Sequence, residues 1–120
     1  MMKNDPQKAF NYCMYKMLAK CFGQTSCKNS LYEKRMYLEY AEAKPSQKTE
    51  YKKRCFSLIK QLKSVIPKEF FEDTVEIHMW PASDKEGIEF MVVSNERILR
   101  LVVKNQKQKA HLQYRFARCA

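Results

Sequence analysis

Hydrophobic positions along the chain change their period once, from about 3.6 residues to two. In the first stretch Phe10, Cys13, Met14, Met17, Leu18 and Cys21 recur at three-and-four spacing and draw one apolar stripe. Asp5 is a natural N-cap, Pro6 suits the first helical position, and Gly23 suits a C-cap, so the pattern predicts a helix over 6–22. A polar loop follows at 24–29. Ser30 and Glu33 then have the spacing of a capping box. Segment 33–43 carries two patterns at once. Met36, Leu38 and Tyr40 alternate as in a strand, while Glu, Lys, Arg, Leu and Ala favour a helix, and the capping box tilts the reading to helix. Pro45 punctuates the chain, with Ser46 as a candidate N-cap. Tyr51, Cys55, Leu58, Ile59, Leu62 and Val65 give the strongest helical periodicity, and Pro67 ends that helix near Ser64 or Val65.

Beyond residue 73 the alternation is two-fold. Val75, Ile77 and Met79 alternate with Glu76, His78 and Trp80, and Pro81 closes the strand. Residues 83–87 read as a turn in which Gly87 offers positive φ. Ile88, Phe90 and Val92 share one face, and Glu89, Met91 and Val93 the other. After a turn at 94–97, Leu99, Leu101 and Val103 alternate with Ile98, Arg100 and Val102. A polar, basic turn at 105–109 precedes Leu112, Tyr114 and Phe116, which alternate with Gln113, Arg115 and Ala117. Short connections make these four strands an antiparallel meander. Its middle strands are apolar on both sides, which predicts cover on both faces. Tyr114 and Phe116 share the side of Leu112 and are expected to point inward. The expected fold is α+β: three N-terminal helices packed on a four-stranded antiparallel β-meander. It forms a single domain over 1–120, with a helical part at 5–66 and the meander at 74–118.

Charge changes the picture by pointing to partners. The formal net charge is +10. From Arg97 onward the charged side chains are Arg97, Arg100, Lys104, Lys107, Lys109, Arg115 and Arg118, with no acid among them. Such a field attracts nucleic acid, anionic lipid or an acidic protein surface. The five cysteines (13, 21, 27, 55 and 119) are an odd set, and Lys3, Asp5 and Lys8 break any apolar leader. Both features suggest an intracellular protein, in cytoplasm or nucleus, with free thiols. No apolar run approaches the roughly 18 residues of a membrane span.

Catalytic and cofactor signatures are weak. Cys21 and Cys27 lie six apart with no histidine nearby, so no zinc spacing emerges. Cys13 and Cys55 fall on apolar stripes and read as packing residues. His78, mid-strand, reads as a rim or core histidine. Glu69, Glu72 and Asp73 read as a solvated loop, and two glycines cannot build a phosphate-cradling loop. No cofactor, metal or catalytic residue is assigned.

Binding is the remaining class. Trp80 beside Pro81 is a candidate exposed anchor, and an unpaired strand edge can accept a peptide strand. The candidate contact set is Trp80, Arg100, Lys104, Lys107, Lys109, Arg115 and Arg118. The expected partner is another protein chain, acidic in character, or a second copy of this chain through strand 111–118. A basic nucleic-acid-binding module is the alternative, favoured by charge but weakened because the last strand's aromatics share the expected core side.

Several phrases resemble a known family. Leu58-Ile59-Lys60-Gln61-Leu62-Lys63, Gly87-Ile88-Glu89-Phe90-Met91-Val92-Val93-Ser94, Ile98-Leu99-Arg100-Leu101-Val102 and Arg115-Phe116-Ala117-Arg118-Cys119-Ala120 are similar to parts of the pleckstrin-homology superfold, of the phosphotyrosine-binding or FERM third-lobe kind. The resemblance covers about half the chain. It implies a non-catalytic adaptor or scaffold role, with peptides docking between a strand and a C-terminal helix that would follow Ala120. It transfers no ligand-binding residue.

Overall fold

A computed structural model describes residues 5–22, 30–68, 72, 76–82, 87–94, 97–106 and 109–118. Side chains at 30, 105, 106, 109–111 and 118 lie outside that description. Three helices precede four strands: α1 (Pro6–Cys21), α2 (Ser30–Ala41), α3 (Pro45–Val65), β1 (Glu76–Pro81), β2 (Gly87–Val93), β3 (Arg97–Gln106) and β4 (Lys109–Arg118). The sheet is antiparallel throughout, in the order β1-β2-β3-β4. The α+β meander expected from the period change is the fold observed.

Helix α1 starts as its sequence dictates. The Asp5 carboxylate accepts hydrogen bonds from the backbone N–H groups of Gln7 (3.0 Å) and Lys8 (3.3 Å), and Pro6 occupies the first turn. Phe22 is the C-cap, one residue inside the expected end, and Gly23 lies outside the described residues. This helix is central, because it contacts α2, α3, β2 and β3. Phe10, Met14, Tyr15 and Leu18 are therefore wholly buried. Each large apolar side chain so enclosed contributes about 1.5–3 kcal/mol. Its one buried polar side chain, Asn11, is satisfied: Oδ1 accepts from Gln7 Nε2 (2.8 Å), and Nδ2 donates to the Tyr32 hydroxyl (3.2 Å). The Asp5 backbone N–H donates to Glu39 Oε2 at 2.6 Å, a second polar tie between α1 and α2.

Helix α2 resolves the ambiguous segment. Tyr32, Met36 and Tyr40, at i, i+4 and i+8, form its inward stripe. Leu38, which made the segment look strand-like, is 52% exposed. The Ser30 half of the expected capping box lies outside the described side chains. Helix α3 begins two residues earlier than Ser46 implied. Lys44 is the N-cap, Pro45 takes the first helical position, and Gln47 Oε1 accepts from the Lys44 N–H at 3.0 Å. Tyr51, Cys55, Leu58, Ile59 and Leu62 face inward. Val65 does not complete the stripe: it is 43% exposed, and the C-cap Ile66 is buried in its place.

All helix cover falls on one side of the sheet. Helix α1 packs on β2 and β3, and α3 on β4. Ile77, Met79, Ile88, Phe90, Val92, Leu99, Leu101 and Val103 close that side of the core. The expectation that the middle strands are covered on both faces is overturned. Met91, Val93, Ile98 and Val102 are only partly buried, because no helix remains to cover them. Tyr114 also departs from expectation. It shares the helix-facing side with Leu101, its register partner, yet is 45% exposed, while Leu112 and Phe116 on either side of it pack against the core. Phe116 is half-buried against the core and meets Tyr114 edge-on at 6.0 Å.

The hairpins are tighter than their composition suggested. Asn105 and Lys109, placed in a turn by polarity, belong to β3 and β4 and leave only 107–108 between the strands. At the β2–β3 turn, Ser94 donates its N–H to the Arg97 carbonyl (2.9 Å), and its hydroxyl accepts from the Arg97 N–H (3.1 Å). Gly87 is extended within β2, so close approach rather than positive φ requires glycine there. A Cβ on Gly87 would lie 2.5 Å from the Val103 carbonyl oxygen. Gly87→Ala should therefore cost about 1–3 kcal/mol in urea denaturation, as overpacking does. A variant as stable as the parent would contradict this packing.

Candidate interaction surfaces

Strand alternation carries one set of side chains to the face away from the helices. The register places Trp80, Glu89, Val102 and Gln113 in one cross-strand row, and His78, Met91, Arg100 and Arg115 in the next. Glu76, Val93, Ile98 and Ala117 form a third. This open face has apolar patches between charged groups, and a polar network crosses three strands. Trp80 Nε1 donates to Glu89 Oε2 at 2.8 Å, and Arg100 donates from one terminal guanidinium nitrogen to Glu89 Oε1 at 3.4 Å. Trp80 is therefore half-buried and tied to Glu89 rather than projecting as a free anchor. His78 Nε2 lies 3.0 Å from Glu76 Oε1 but without hydrogen-bond alignment.

Two of the candidate basic residues come together on this face. Arg100 and Arg115 are direct cross-strand partners, and both are exposed. Like charges in that relation destabilise a sheet slightly. Glu89 offsets Arg100, but Arg115 has no carboxylate partner among the described residues. The two arginines, with Glu89, Val102, Gln113 and Tyr114, line a shallow depression of about 270 Å³. Lys104 is half-buried one row further along, opposite Gly87 and His111. Lys109 and Arg118 sit at the two ends of β4, with their side chains outside the described set, and Lys107 lies outside it altogether. Among the described residues β4 pairs with β3 alone, which leaves its outer backbone edge unpaired by any of them.

A second surface, on the helical side, has no counterpart in the sequence reading. An open pocket of about 590 Å³ lies among the three helices. Tyr12, Met17, Tyr40 and Phe56 supply its apolar wall, and Lys16, Lys52 and Lys53 its rim. Tyr12 packs on Tyr40 at 5.4 Å, and Phe56 is 57% exposed. Phe56 sits off the apolar stripe of α3 among lysines, and that misplaced aromatic was the one local signal of the pocket.

Cys13 lies at the pocket's inner end beside Cys55. The Cys55 thiol, donating 3.9 Å to the Phe10 carbonyl, is pushed strongly up by the Cys13 contact and then by burial. Cys13 moves the other way. Its contact with Cys55 lowers it most; burial opposes, and Tyr40 and Lys52 help lower it. Cys13 therefore ionises first. Limited alkylation with iodoacetamide at mildly alkaline pH should label Cys13 ahead of Cys55, as read by peptide mass spectrometry. Equal labelling of the two would contradict this order of ionisation.

Among the described residues, no three His, Cys, Asp or Glu side chains gather as metal ligands, and no helix is long and apolar enough to cross a membrane. Comparison with family models, curated proteins and solved structures found no match to this chain.

Proposed function

We propose that the protein is a non-catalytic protein-interaction module of the adaptor or scaffold type. On this reading the open sheet face and the β4 edge receive an acidic, extended segment of another protein. The supporting observation is the position of Arg100 and Arg115: adjacent, exposed, and next to a strand edge with no partner among the described residues. A strand added to β4 gains main-chain hydrogen bonds, and its alternate side chains fall over the arginines. Peptide addition at a strand edge is also the mode of the phosphotyrosine-binding domains that the strand phrases resemble.

Charge bears on the competing partners. Two antiparallel copies of β4 would bring together strands with Lys109, Arg115 and Arg118 and no acid, so self-pairing works against Coulomb repulsion. Nucleic acid meets Glu76 and Glu89 on the same face, and Trp80 is engaged by Glu89 rather than free to stack on a base. Free thiols at Cys13, Cys21 and Cys55 fit an intracellular setting.

A photo-crosslinking residue in place of Gln113 tests the reading in cells that make the protein. The adduct should be a peptide from another protein with an acidic, extended stretch. Its yield should fall about tenfold or more when Arg100→Glu and Arg115→Glu are combined, the effect of losing charge complementarity at a partly desolvated contact. Crosslinks mainly to nucleic acid or to the chain itself would overturn it, as would a protein adduct indifferent to the two arginines.

A further inference from the structure

The interhelical pocket shares no lining residue with the depression on the sheet face. Its walls and its rim ask for different chemistry. The apolar wall from Tyr12, Met17, Tyr40 and Phe56 is large enough for a small ligand, since such sites run about 300–1,000 Å³. Leaving Phe56 more than half exposed forgoes burial that an apolar occupant would restore. The rim carries Lys16, Lys52 and Lys53, and among the described residues no carboxylate lines the pocket. Two further ammonium groups stand close by: Lys48 over the Tyr40 ring at 5.3 Å and Lys60 over the Phe56 ring at 6.0 Å. An uncharged apolar ligand would leave these charges unused. A polyphosphate or sugar would meet the lysines, Thr49 and the tyrosine hydroxyls but would leave the apolar wall of Met17 and Phe56 unmatched. A flat membrane surface would meet the lysines but would not fill the concavity.

We infer that this pocket binds a free single-chain amphiphile, an acyl chain ending in an anionic head, with the chain against Met17 and Phe56 and the head among Lys16, Lys52 and Lys53. Lysine ammonium groups act as mobile point charges, so they select for negative charge rather than for one planar head group. Tyr12 and Tyr40 form the wall nearest Cys13, so a bound chain also shields that thiol.

Oleate, kept below its micellar concentration and titrated into the full chain, is the test probe. Calorimetry should show saturable one-to-one binding, and the Met17 methyl carbon signal should shift. Phe56→Asp should weaken binding at least tenfold by placing a carboxylate in the wall. Lys52→Glu with Lys53→Glu should weaken it similarly, while oleyl alcohol binds the parent at least tenfold more weakly than oleate. Phe56 and both lysines are exposed, so these variants should fold, and circular dichroism checks that. Bound oleate should also slow alkylation of Cys13. Absence of binding would overturn the inference. So would equal affinity for oleyl alcohol, binding unaffected by Phe56→Asp, or binding confined to oleate-containing vesicles.

Discussion

The burial of α1 is the constraint on which the rest of the fold depends. Phe10, Met14 and Leu18 follow one another at single-turn spacing and are wholly enclosed, with Tyr15 buried on the adjoining side. Enclosing one helix on so many sides takes every other element nearby: α2 on one flank, α3 on another, and the middle of the sheet beneath. The polar contacts of this helix serve the same end. Asn11 bonds to Tyr32, and the Asp5 amide bonds to Glu39, so a buried amide and a helix terminus are satisfied while α2 is fixed in place.

Spending all three helices on one side has a direct consequence. The other side of the sheet is left with residues that are too apolar for a plain solvent face and too charged for a core. Met91, Val93, Ile98 and Val102 lie among Glu89, Arg100 and Arg115, and Trp80 is fastened across them by its bond to Glu89. A surface of this mixed kind, rigid in its backbone and bordered by an open strand edge, is suited to a protein partner. On the helical side the same packing leaves a gap where α1, α2 and α3 diverge. The lysines of α1 and α3 and the aromatic rings of all three helices meet there. The two surfaces share no lining residue, so each can be altered without rebuilding the other.

Much of the architecture was legible in the periodicity. The change from a 3.6-residue to a two-residue repeat, with Pro and Gly as punctuation, located three helices and four strands. Capping at Asp5 and Pro6 defined the first helix start. What periodicity could not supply was cover. Alternation places Val102 and Leu101 on opposite faces, but only the three-dimensional position of α1 decides which face is sealed. Tyr114 meets the same limit: alternation gave its side of the strand, but not how much of it the packing leaves exposed. The pocket was illegible for another reason. Tyr12, Tyr40 and Phe56 are far apart in sequence and converge only through packing. Among the candidate basic residues, Arg100 and Arg115 were visible as charges, but their direct cross-strand relation depended on register. Segment 33–43 shows the reverse case. Its strand-like alternation was real in sequence, but Tyr32, Met36 and Tyr40 bury better as a helical stripe against α1.

The central claim is that the outer edge of β4 is open in the free protein and is the place a partner strand adds. Residue-resolved amide hydrogen exchange tests it most directly, on dilute protein alone and then with the protein partner identified by crosslinking. Free β4 should show an alternating pattern: inward amides, bonded to β3, exchange slowly, and outward amides exchange fast. The outward amides should become protected when the partner is added. Uniform protection of β4 in the dilute free protein would contradict the account, because the edge would already be closed. So would outward amides that still exchange fast with the partner bound.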